Sequence, residues 1–499
     1  FNYLNRIKAY DAWGVAGGQG DTNVVIGIVD SGTDVDHPDL KTQIKYNYAE
    51  YPANGQDDDN DGYIDNYRGY DLAGANYNLN PLVGDNNPDC AASGQNHGSH
   101  VSGCAAAATN NSVGVAGVGF KCKFLPVKCG ADNDTRASGA GYILTGYEGI
   151  IYAADHGADV INCSWGGAGS SMFEQDVINY ATINKDALVV AAAGNNALDE
   201  AFYPAAYEYV ISVASTNSTS DNLSSFSNYN STIDVTSTGN QIYNTLWNNT
   251  YMAMSGTSMA SPVAAGGCGL IKSYYPSYNA LQVGEKLRVT CDALTNANAN
   301  TTTVSKYNSG KLGKGRINLF KALTTVSPSV RMSPINISDN NDETFVIGDT
   351  LYIRGIFTNY LDPTVNCSAV LSTTSTNVNI LSNSVTVGAL NTLATINNNS
   401  NAYRVIINAG TPANTTVTFK ISYTDAATNY TDFQTFDVVI NVDYLNIHVN
   451  DIATTITSKG RLFYNGDAQT QGWGFTYKDS SLSYEGGLMI GYDTLHLAN

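Results

Sequence analysis

A chain of 499 residues, 43% of them hydrophobic, is longer than one core usually serves, so two or three domains are expected. Its 44 acidic against 25 basic residues give a net charge of −19, which argues against nucleic acid as a partner and offers oxygen ligands to hard cations. No run of about 18 apolar residues occurs, so no transmembrane helix is expected; the start Phe1-Asn2-Tyr3-Leu4 is no signal peptide and reads as a processed terminus of an exported protein.

Up to about residue 326, β-type runs alternate with helical ones. Val24–Val29 is an apolar strand candidate that ends on Asp30, either a turn-forming acid or a carboxylate at the working edge of a sheet. The next segment carries Asp57-Asp58-Asp59-Asn60-Asp61-Gly62-Tyr63-Ile64-Asp65. Asp57, Asp59 and Asp61 followed by Gly62 match the D-x-D-x-D-G spacing of a calcium loop, because carboxylates so crowded repel one another unless a cation neutralises them. Tyr63 and Asp65 belong to the candidate ligand set. Arg68 stands at the twelfth position, where an EF-hand has its bidentate Glu, so the loop is no EF-hand and Asp65 or Asp71 must complete the shell.

His97 then opens a small-residue helix candidate, His97–Ala108, in the run Asn96-His97-Gly98-Ser99-His100. Strands are expected at Phe124–Val127, Val160–Cys163, Leu188–Ala192 and Val210–Val213, and helices at Ala137–His156, Met172–Ile183, Pro262–Tyr275 and Tyr278–Val289. Such alternation predicts an α/β fold, a parallel sheet with helices on both faces, with ligands beyond the carboxyl ends of its strands. Ser258, in Gly256-Thr257-Ser258-Met259-Ala260-Ser261-Pro262, precedes the apolar stretch Met259 to Tyr275. It is either a helix N-cap or an acyl-transfer nucleophile held where backbone N–H groups favour negative charge.

The texture changes near Ser327-Pro328-Ser329. Thr344–Ile347, Thr350–Phe357, Thr416–Tyr423 and Phe433–Val442 alternate or are β-branched, which predicts a β-sandwich. The expected domains are 1–326, a sandwich over 330–443, and a short β-rich module over 444–499 with Gly-rich turns at Gly472, Gly474 and Gly486-Gly487, whose limited length reads as trimmed from a longer parent. Eight cysteines suit an exported protein with a few staples; Cys90/Cys104, Cys122/Cys129 and Cys268/Cys291 are the candidate pairs, and Cys163 the candidate buried thiol.

Three blocks resemble the subtilisin-like serine proteases, or subtilases: Val29-Asp30-Ser31-Gly32 with Asp36-His37-Pro38-Asp39-Leu40; His97-Gly98-Ser99-His100-Val101-Ser102-Gly103; and Gly256-Thr257-Ser258-Met259-Ala260-Ser261-Pro262. The chain order Asp, His, Ser is that of subtilisin. Gly157 to Gly167 and Ala191-Ala192-Ala193-Gly194-Asn195 agree as well, and the resemblance spans about residues 5 to 322, which makes 1–326 the expected subtilisin-like catalytic domain. It implies Ser258 as nucleophile, His97 as general base and acid, Asp30 as the group orienting His97, and Asn195 as an oxyanion donor beside the Ser258 N–H. Relatives that work at acidic pH carry acids where this chain has His97 and Asn195.

The resemblance further implies an extended protein or peptide substrate, added as a strand. Ser164, Trp165, Gly166, Ala193 and Gly194 would wall the pocket for the side chain before the scissile bond. Phe202 would be that pocket's floor or would turn into the core. Tyr203-Pro204 resembles a turn with a cis peptide. A second calcium loop is implied, with Asp39 as carboxylate, Thr109, Val113 and Val115 as carbonyls and Asn111 as side-chain ligand. The expected function is a secreted, calcium-stabilised serine endopeptidase whose cleaved propeptide is a transient partner. A catalytically dead binding scaffold and an exopeptidase are the alternatives, separated by active-site labelling and by mapping the cuts.

Overall fold

A strand without a polar side chain on either face needs cover on both, and β1 (Val25–Asp30), which carries none before Asp30, is buried throughout. Its alternate residues serve two different cores. Ile26 and Ile28 pack with Val101, Ala105, Val263 and Leu270 on one face; Val25 and Val29 pack with Ile150 and Ala153 on the other. The structure, a computed structural model, describes all residues except 91–95, 135–141, 296–297, 458–460, 463–473, 478–479, 484–485, 488–489, 494–495 and 499. The chain divides into two units, Phe1–Val326 and Ser327–Asn499.

In the first unit, β1 is joined by β2 (Tyr70–Asp71), β3 (Lys123–Lys128), β4 (Val160–Cys163), β5 (Leu188–Ala192), β6 (Val210–Asn217) and β7 (Val235–Asn240). They form one seven-stranded sheet in the order β2-β3-β1-β4-β5-β6-β7. Every neighbouring pair is parallel. The helices are α1 (Asn2–Arg6), α2 (Ala9–Trp13), α3 (His97–Ala106), α4 (Gly146–Asp155), α5 (Met172–Asn179), α6 (Thr257–Tyr274), α7 (Ala280–Val289), α8 (Thr301–Asn308) and α9 (Leu319–Thr324). The expected parallel α/β sheet is therefore present.

Several boundaries differ from expectation for local reasons. Helix α6 starts at Thr257, ahead of the expected Pro262, so Ser258 lies in its first turn and Gly256 is the N-cap. Ser258 is thus not the cap. Helix α4 starts at Gly146; residues 137–141 of the expected helix lie outside the described residues. Helix α5 passes into a π-helical turn, Tyr180–Asn184. Strand β7, Val-Thr-Ser-Thr-Gly-Asn, is buried despite its polarity. In the hairpin of β8 (Ile242–Leu246) and β9 (Thr250–Met254), Ile242, Asn244 and Thr245 are buried, while β9 is half-buried or exposed.

None of the three cysteine pairs is bonded: all eight cysteines are free thiols. Three of these thiols have other polar neighbours. Cys90 Sγ lies 3.5 Å from Ser99 Oγ, Cys104 Sγ 3.5 Å from His100 Nδ1, and Cys122 Sγ 3.6 Å from Ser273 Oγ. Burial pushes the Cys122 thiol up to about 11 and that of Cys291 up to about 12, so they stay protonated and act as small apolar side chains.

The second unit is a β-sandwich built from alternation. Its strands are β10 (Val330–Ser338), β11 (Thr350–Asn359), β12 (Cys367–Ser372), β13 (Val378–Ser382), β14 (Ser384–Gly388), β15 (Thr395–Asn397), β16 (Tyr403–Ile407), β17 (Thr415–Asp425) and β18 (Tyr430–Ile440). One sheet runs β10-β11-β16-β13 with β15 beside β11, the other β14-β12-β17-β18. In β17, Val417, Phe419, Ile421 and Tyr423 face a core shared with Leu351, Ile353 and Val405 of the other sheet. Thr344–Ile347 is not a strand; Phe345 enters the core from a loop. Beyond Tyr444, Asn446 bonds back to Thr344 Oγ1 at 3.1 Å and to the Glu343 carbonyl at 3.1 Å, and the strands Tyr444–Val449 and Ile452–Thr457 pair with each other. Gly472 lies outside the described residues.

Candidate active site

The carboxyl edge of the sheet collects the candidate residues because register places their strands side by side. Val29 of β1 is level with Cys163 of β4, and Cys163 with Ala191 of β5. Asp30 and Ser164 are the next residues along β1 and β4, so they end adjacent strands about 5 Å apart. His97 reaches the first end: its Nδ1 is 2.8 Å from Asp30 Oδ1. Ser258 reaches the second: its hydroxyl donates to the Ser164 carbonyl at 3.1 Å. His97 and Ser258 thus open two helices, α3 and α6, that pack on each other over neighbouring strand ends.

Each contact has a local cause. Helix α3 comes this close to the Asp30 turn because residue 98 is Gly; a Cβ there would lie 2.2 Å from the Gly32 carbonyl oxygen and 3.1 Å from Asp30 Cβ. The Gly98 N–H donates to Ser31 Oγ at 3.2 Å. Asp30 is 1% exposed, and Ser31 N–H donates to its Oδ1 at 2.7 Å. The His97 side chain keeps 13% exposure. Burial alone lowers its pKa, but the charge and hydrogen bond of Asp30 outweigh that and hold it above the ordinary imidazole value. The second histidine of the block has another task. His100 is buried, with Nε2 2.9 Å from the Ile242 carbonyl and 3.2 Å from that of Met252, and burial brings its pKa down to about 4. It ties α3 to the β8–β9 hairpin as a neutral ring.

Pro262 explains how Ser258 is held. Lacking an N–H, it leaves the carbonyl four residues earlier, that of Ser258, without its helical donor. Ser164 Oγ donates to that carbonyl at 2.8 Å. Ser164 and Ser258 therefore exchange two hydrogen bonds, hydroxyl to carbonyl in each direction. Asn162 Nδ2 donates to Ser164 Oγ at 2.9 Å, and Ser261 Oγ donates to Asn162 Oδ1 at 2.7 Å, which fixes the β4 side of the link.

Asn195 lies past the end of β5. Its Oδ1 accepts the Thr257 N–H at 2.8 Å and the Thr257 hydroxyl at 2.9 Å, which assigns the oxygen and turns Nδ2 outward. A Cβ placed on Gly256 would lie 3.6 Å from Asn195 Nδ2 and 3.5 Å from Ser258 N, so two donors flank one spot at the start of α6. A carbonyl oxygen gaining charge there would be stabilised.

Sequence reasoning missed a buried cation at this edge. Lys128 ends β3 level with both Asp30 and Asp71, yet its Nζ pairs with Asp71 at 2.8 Å and with Asp132. Burial raises the Asp71 carboxyl to about 6, against the pull of Lys128. The Asp30 charge is left to His97. Asp71 is thus committed to Lys128 and is not available to complete the calcium shell.

The pocket candidates spread in several directions. Trp165 Nε1 donates to the Val29 carbonyl at 2.9 Å and its ring meets Tyr147 edge-on at 5.4 Å, on the α4 side. Ala193 packs with Ala214 and Ile233. Gly166, Gly194 and Phe202 meet one another: a Cβ on Gly166 would touch Phe202 Cε1 at 2.6 Å, and one on Gly194 would touch Phe202 Cγ at 3.0 Å. The Tyr203-Pro204 peptide is cis.

The acidic loop gathers a different set from the one its spacing suggests. Oxygens of Glu50, Asp57 and Asp59 all lie within 4.8 Å of one another. Glu50 is 3% exposed; one carboxylate oxygen accepts the Asp58 N–H at 2.9 Å, while Oε2 is buried with no partner among the described residues. A buried carboxylate with an orphaned oxygen, grouped with two further carboxylates, fits a cation. Asp61 instead meets His156 Nε2 at 2.9 Å and Asn66 Nδ2 at 2.7 Å, and Asp65 accepts the N–H groups of Asn54 and Gly55 at 3.0 and 2.9 Å. The Tyr63 ring packs edge-on against Tyr152. Glu50 went unread because it precedes the motif by seven residues in a Tyr-rich stretch.

The second loop also assembles. Asp39 accepts from Asn111 Nδ2 at 2.5 Å, Val115 N–H at 2.9 Å and Tyr251 OH at 3.0 Å, and Asn111 Oδ1 accepts the Val113 N–H at 3.0 Å. Thr109 Oγ1 donates to the Ala107 carbonyl at 3.3 Å. These bonds engage the Asp39 carboxylate and the Asn111 side chain, two of the expected ligands.

Residues 21–315 match the peptidase family described as the Subtilase family. The chain belongs to the subtilase family. Thermitase of Thermoactinomyces vulgaris is 37% identical over 318 residues, which is 64% of this chain and 94% of thermitase. The thermophilic serine proteinase of Bacillus sp. (strain AK1) is 36% identical over 63% of this chain and 64% of its own length. The halolysin-like extracellular serine protease Nep of Natrialba magadii is 33% identical over 57% of this chain and 46% of its own length. The chain thus spans less than two thirds of the latter two relatives. It is a serine endopeptidase of this family, and no described helix is long and apolar enough to cross a membrane.

Proposed function

We propose that this subtilase cuts internal bonds of extended polypeptides through an acyl-enzyme on Ser258. The observation that carries the assignment is the His97 Nδ1 to Asp30 Oδ1 bond on the strand end next to the one that holds Ser258. The Ser258 hydroxyl turns from the Ser164 carbonyl toward His97 and attacks the scissile carbonyl carbon. Its proton passes to His97 Nε2, while Nδ1–H stays on Asp30, whose charge stabilises the imidazolium. The oxyanion is received by Asn195 Nδ2 and the Ser258 N–H. Collapse breaks the C–N bond, and the leaving amine takes the proton from His97. Water then repeats the sequence against the ester and restores the Ser258 hydroxyl.

Calcium stabilisation is part of the same reading. Glu50, Asp57 and Asp59 would hold the ion, supported by the orphaned Glu50 oxygen, and no step of the chemistry runs through it. An extracellular place of action is supported by the Natrialba magadii relative and by the acidic surface charge. A cleaved propeptide as transient partner follows from the resemblance. The test is a fluorophosphonate probe with cut-site mapping on a long unstructured protein. A Ser258 adduct and internal cuts are expected; absence of the adduct overturns the assignment, and cuts confined to chain ends overturn the endopeptidase claim.

A further inference from the structure

Asn195 sits in a stretch that packing cannot hold: residues 195–200, beyond the end of β5, are all exposed. Hydrogen bonds must therefore set its direction, and the backbone of this stretch bonds to residues 226–230. The Ala197 N–H donates to the Phe226 carbonyl at 2.8 Å, the Tyr229 N–H donates to the Leu198 carbonyl at 3.0 Å, and Asn230 Nδ2 donates to the Glu200 carbonyl. At the middle of this cradle stands Asn228, only 1% exposed. Its Oδ1 accepts the N–H groups of Asn196 at 2.9 Å and Leu198 at 3.2 Å, and its own N–H donates to the Gly194 carbonyl at 3.0 Å. Two donors on one atom assign that atom as the oxygen. Asn228 thus grips the chain at the residue before Asn195 and at the residue after it.

The grip is itself anchored. The Asn228 carbonyl accepts from Ser227 Oγ at 3.0 Å, and the same Oγ accepts the Ser215 N–H of β6 at 2.9 Å. Gly194 lies close against the amide: a Cβ there would lie 2.5 Å from Asn228 Nδ2, and its φ of +99° opposes a side chain as well. On the far side, Thr257, the residue before Ser258, holds the Asn195 oxygen and accepts the Gly194 N–H at Oγ1, 3.2 Å away. Thr257 sets the rotation of the Asn195 amide. Asn228 sets the backbone from which that amide projects.

We propose that Asn228 is a positioning residue for the acyl transfer, holding the main chain around Asn195 so that Nδ2 stays beside the Ser258 N–H. The inference rests on Asn195 being the oxyanion donor. The bonds of Asn228 go to the backbone of Gly194, Asn196 and Leu198, so its effect on the chemistry passes through Asn195. A group displaced by about 1 Å can cost about 10²-fold in rate. The oxyanion forms only as the hydroxyl attacks, so the loss falls on kcat rather than on KM.

The experiment is a double-mutant cycle on the full chain: Asn228→Ala, Asn195→Ala and the two together, assayed on a peptide anilide. Rates are normalised to the sites titrated with a fluorophosphonate, so that unfolded molecules do not count. Asn228→Ala should lower kcat at least about 10-fold and leave KM within a few-fold. In the Asn195→Ala background the same change should move kcat by less than about 3-fold, because the donor that it positions is gone. A side chain that only held the fold would lower kcat equally in both backgrounds, or would reduce only the number of titrated sites. Losses that multiply in the double variant therefore overturn the inference, as does a smaller loss in Asn228→Ala alone. Asn228→Ser, which keeps a side-chain oxygen, carries the same cycle if the Ala variant does not melt cooperatively. Asn195→Ala by itself separates the two claims. If it lowers kcat while Asn228→Ala does not, only the role of Asn228 falls; if it leaves kcat unchanged, the donor reading falls and this inference with it.

Discussion

At the scale of single residues, two groups are aimed by their neighbours rather than by their own strands. Asn195 is exposed at a strand end, yet Thr257 holds its oxygen by two bonds, so its amide nitrogen is ready before substrate arrives. Asn195→Ala should lower kcat about 10²- to 10³-fold, about 2.7–4 kcal/mol, with a smaller change in KM, as steady-state kinetics on a peptide anilide will measure. His97 carries the pH dependence. It must be neutral to accept a proton, and Asp30 holds its pKa above the ordinary value, so activity should rise through a pH above about 6.5. The pH dependence of kcat/KM checks this, and Asp30→Asn should shift the acidic limb down as well as reduce the rate. Stability runs the other way. Protonated His97 gains from Asp30 in the folded state; that gain is complete below the unfolded pKa and is lost as pH rises through the folded one. The window that switches the enzyme on is the window in which this contribution fades. His100 has the opposite sign: its stability is present above about 6.5 and is lost as pH falls toward its folded value of about 4.

At the scale of elements, the acidic loop is held by a carboxylate that its own motif does not include. Glu50 accepts the Asp58 N–H through Oε1, leaves Oε2 without a partner among the described residues, and has a carboxylate oxygen within 4.8 Å of oxygens of Asp57 and Asp59. Chelation with EGTA should lower the melting temperature, followed by differential scanning calorimetry, and Glu50→Gln should shrink the difference between the calcium-loaded and chelated proteins. An unchanged melt in EGTA defeats the calcium reading. The same contrast explains what the sequence could tell. β1, β4 and β5 were legible because both faces are covered and, apart from Asp30 and Asn162, their residues are apolar or glycine. β7 was not: Thr236, Ser237 and Thr238 are buried in a strand that composition alone would leave in a loop. Asp30, His97 and Ser258 stood out in three short blocks and Asn195 in the separate run 191–195, and the fold brings Asp30 to His97 and Asn195 to Thr257. Phe202 stood open between two positions because sequence gives the glycines but not the pairing of Gly167 with Tyr203 that aims the ring. The cysteine pairs failed because closeness in sequence says nothing of which face of a helix or strand a thiol occupies.

At the scale of the whole molecule, the two units have separate cores. Val330, Phe357, Phe419 and Tyr423 belong to the second, and none of the triad's supporting residues does. Residues 1–326 alone should therefore fold and label at Ser258 with a fluorophosphonate probe; failure to label would make the sandwich part of the catalytic unit. Within the first unit, the gap that Pro262 leaves in α6 joins a helix to a strand. Filling it with an ordinary residue would restore one bond to the helix and set a second donor beside Ser164 Oγ at the Ser258 carbonyl. The helix would become more regular while the tether of Ser258 to β4 met a competitor. Local stability and catalytic alignment are thus set against each other at one imino acid, and this chain has settled on alignment.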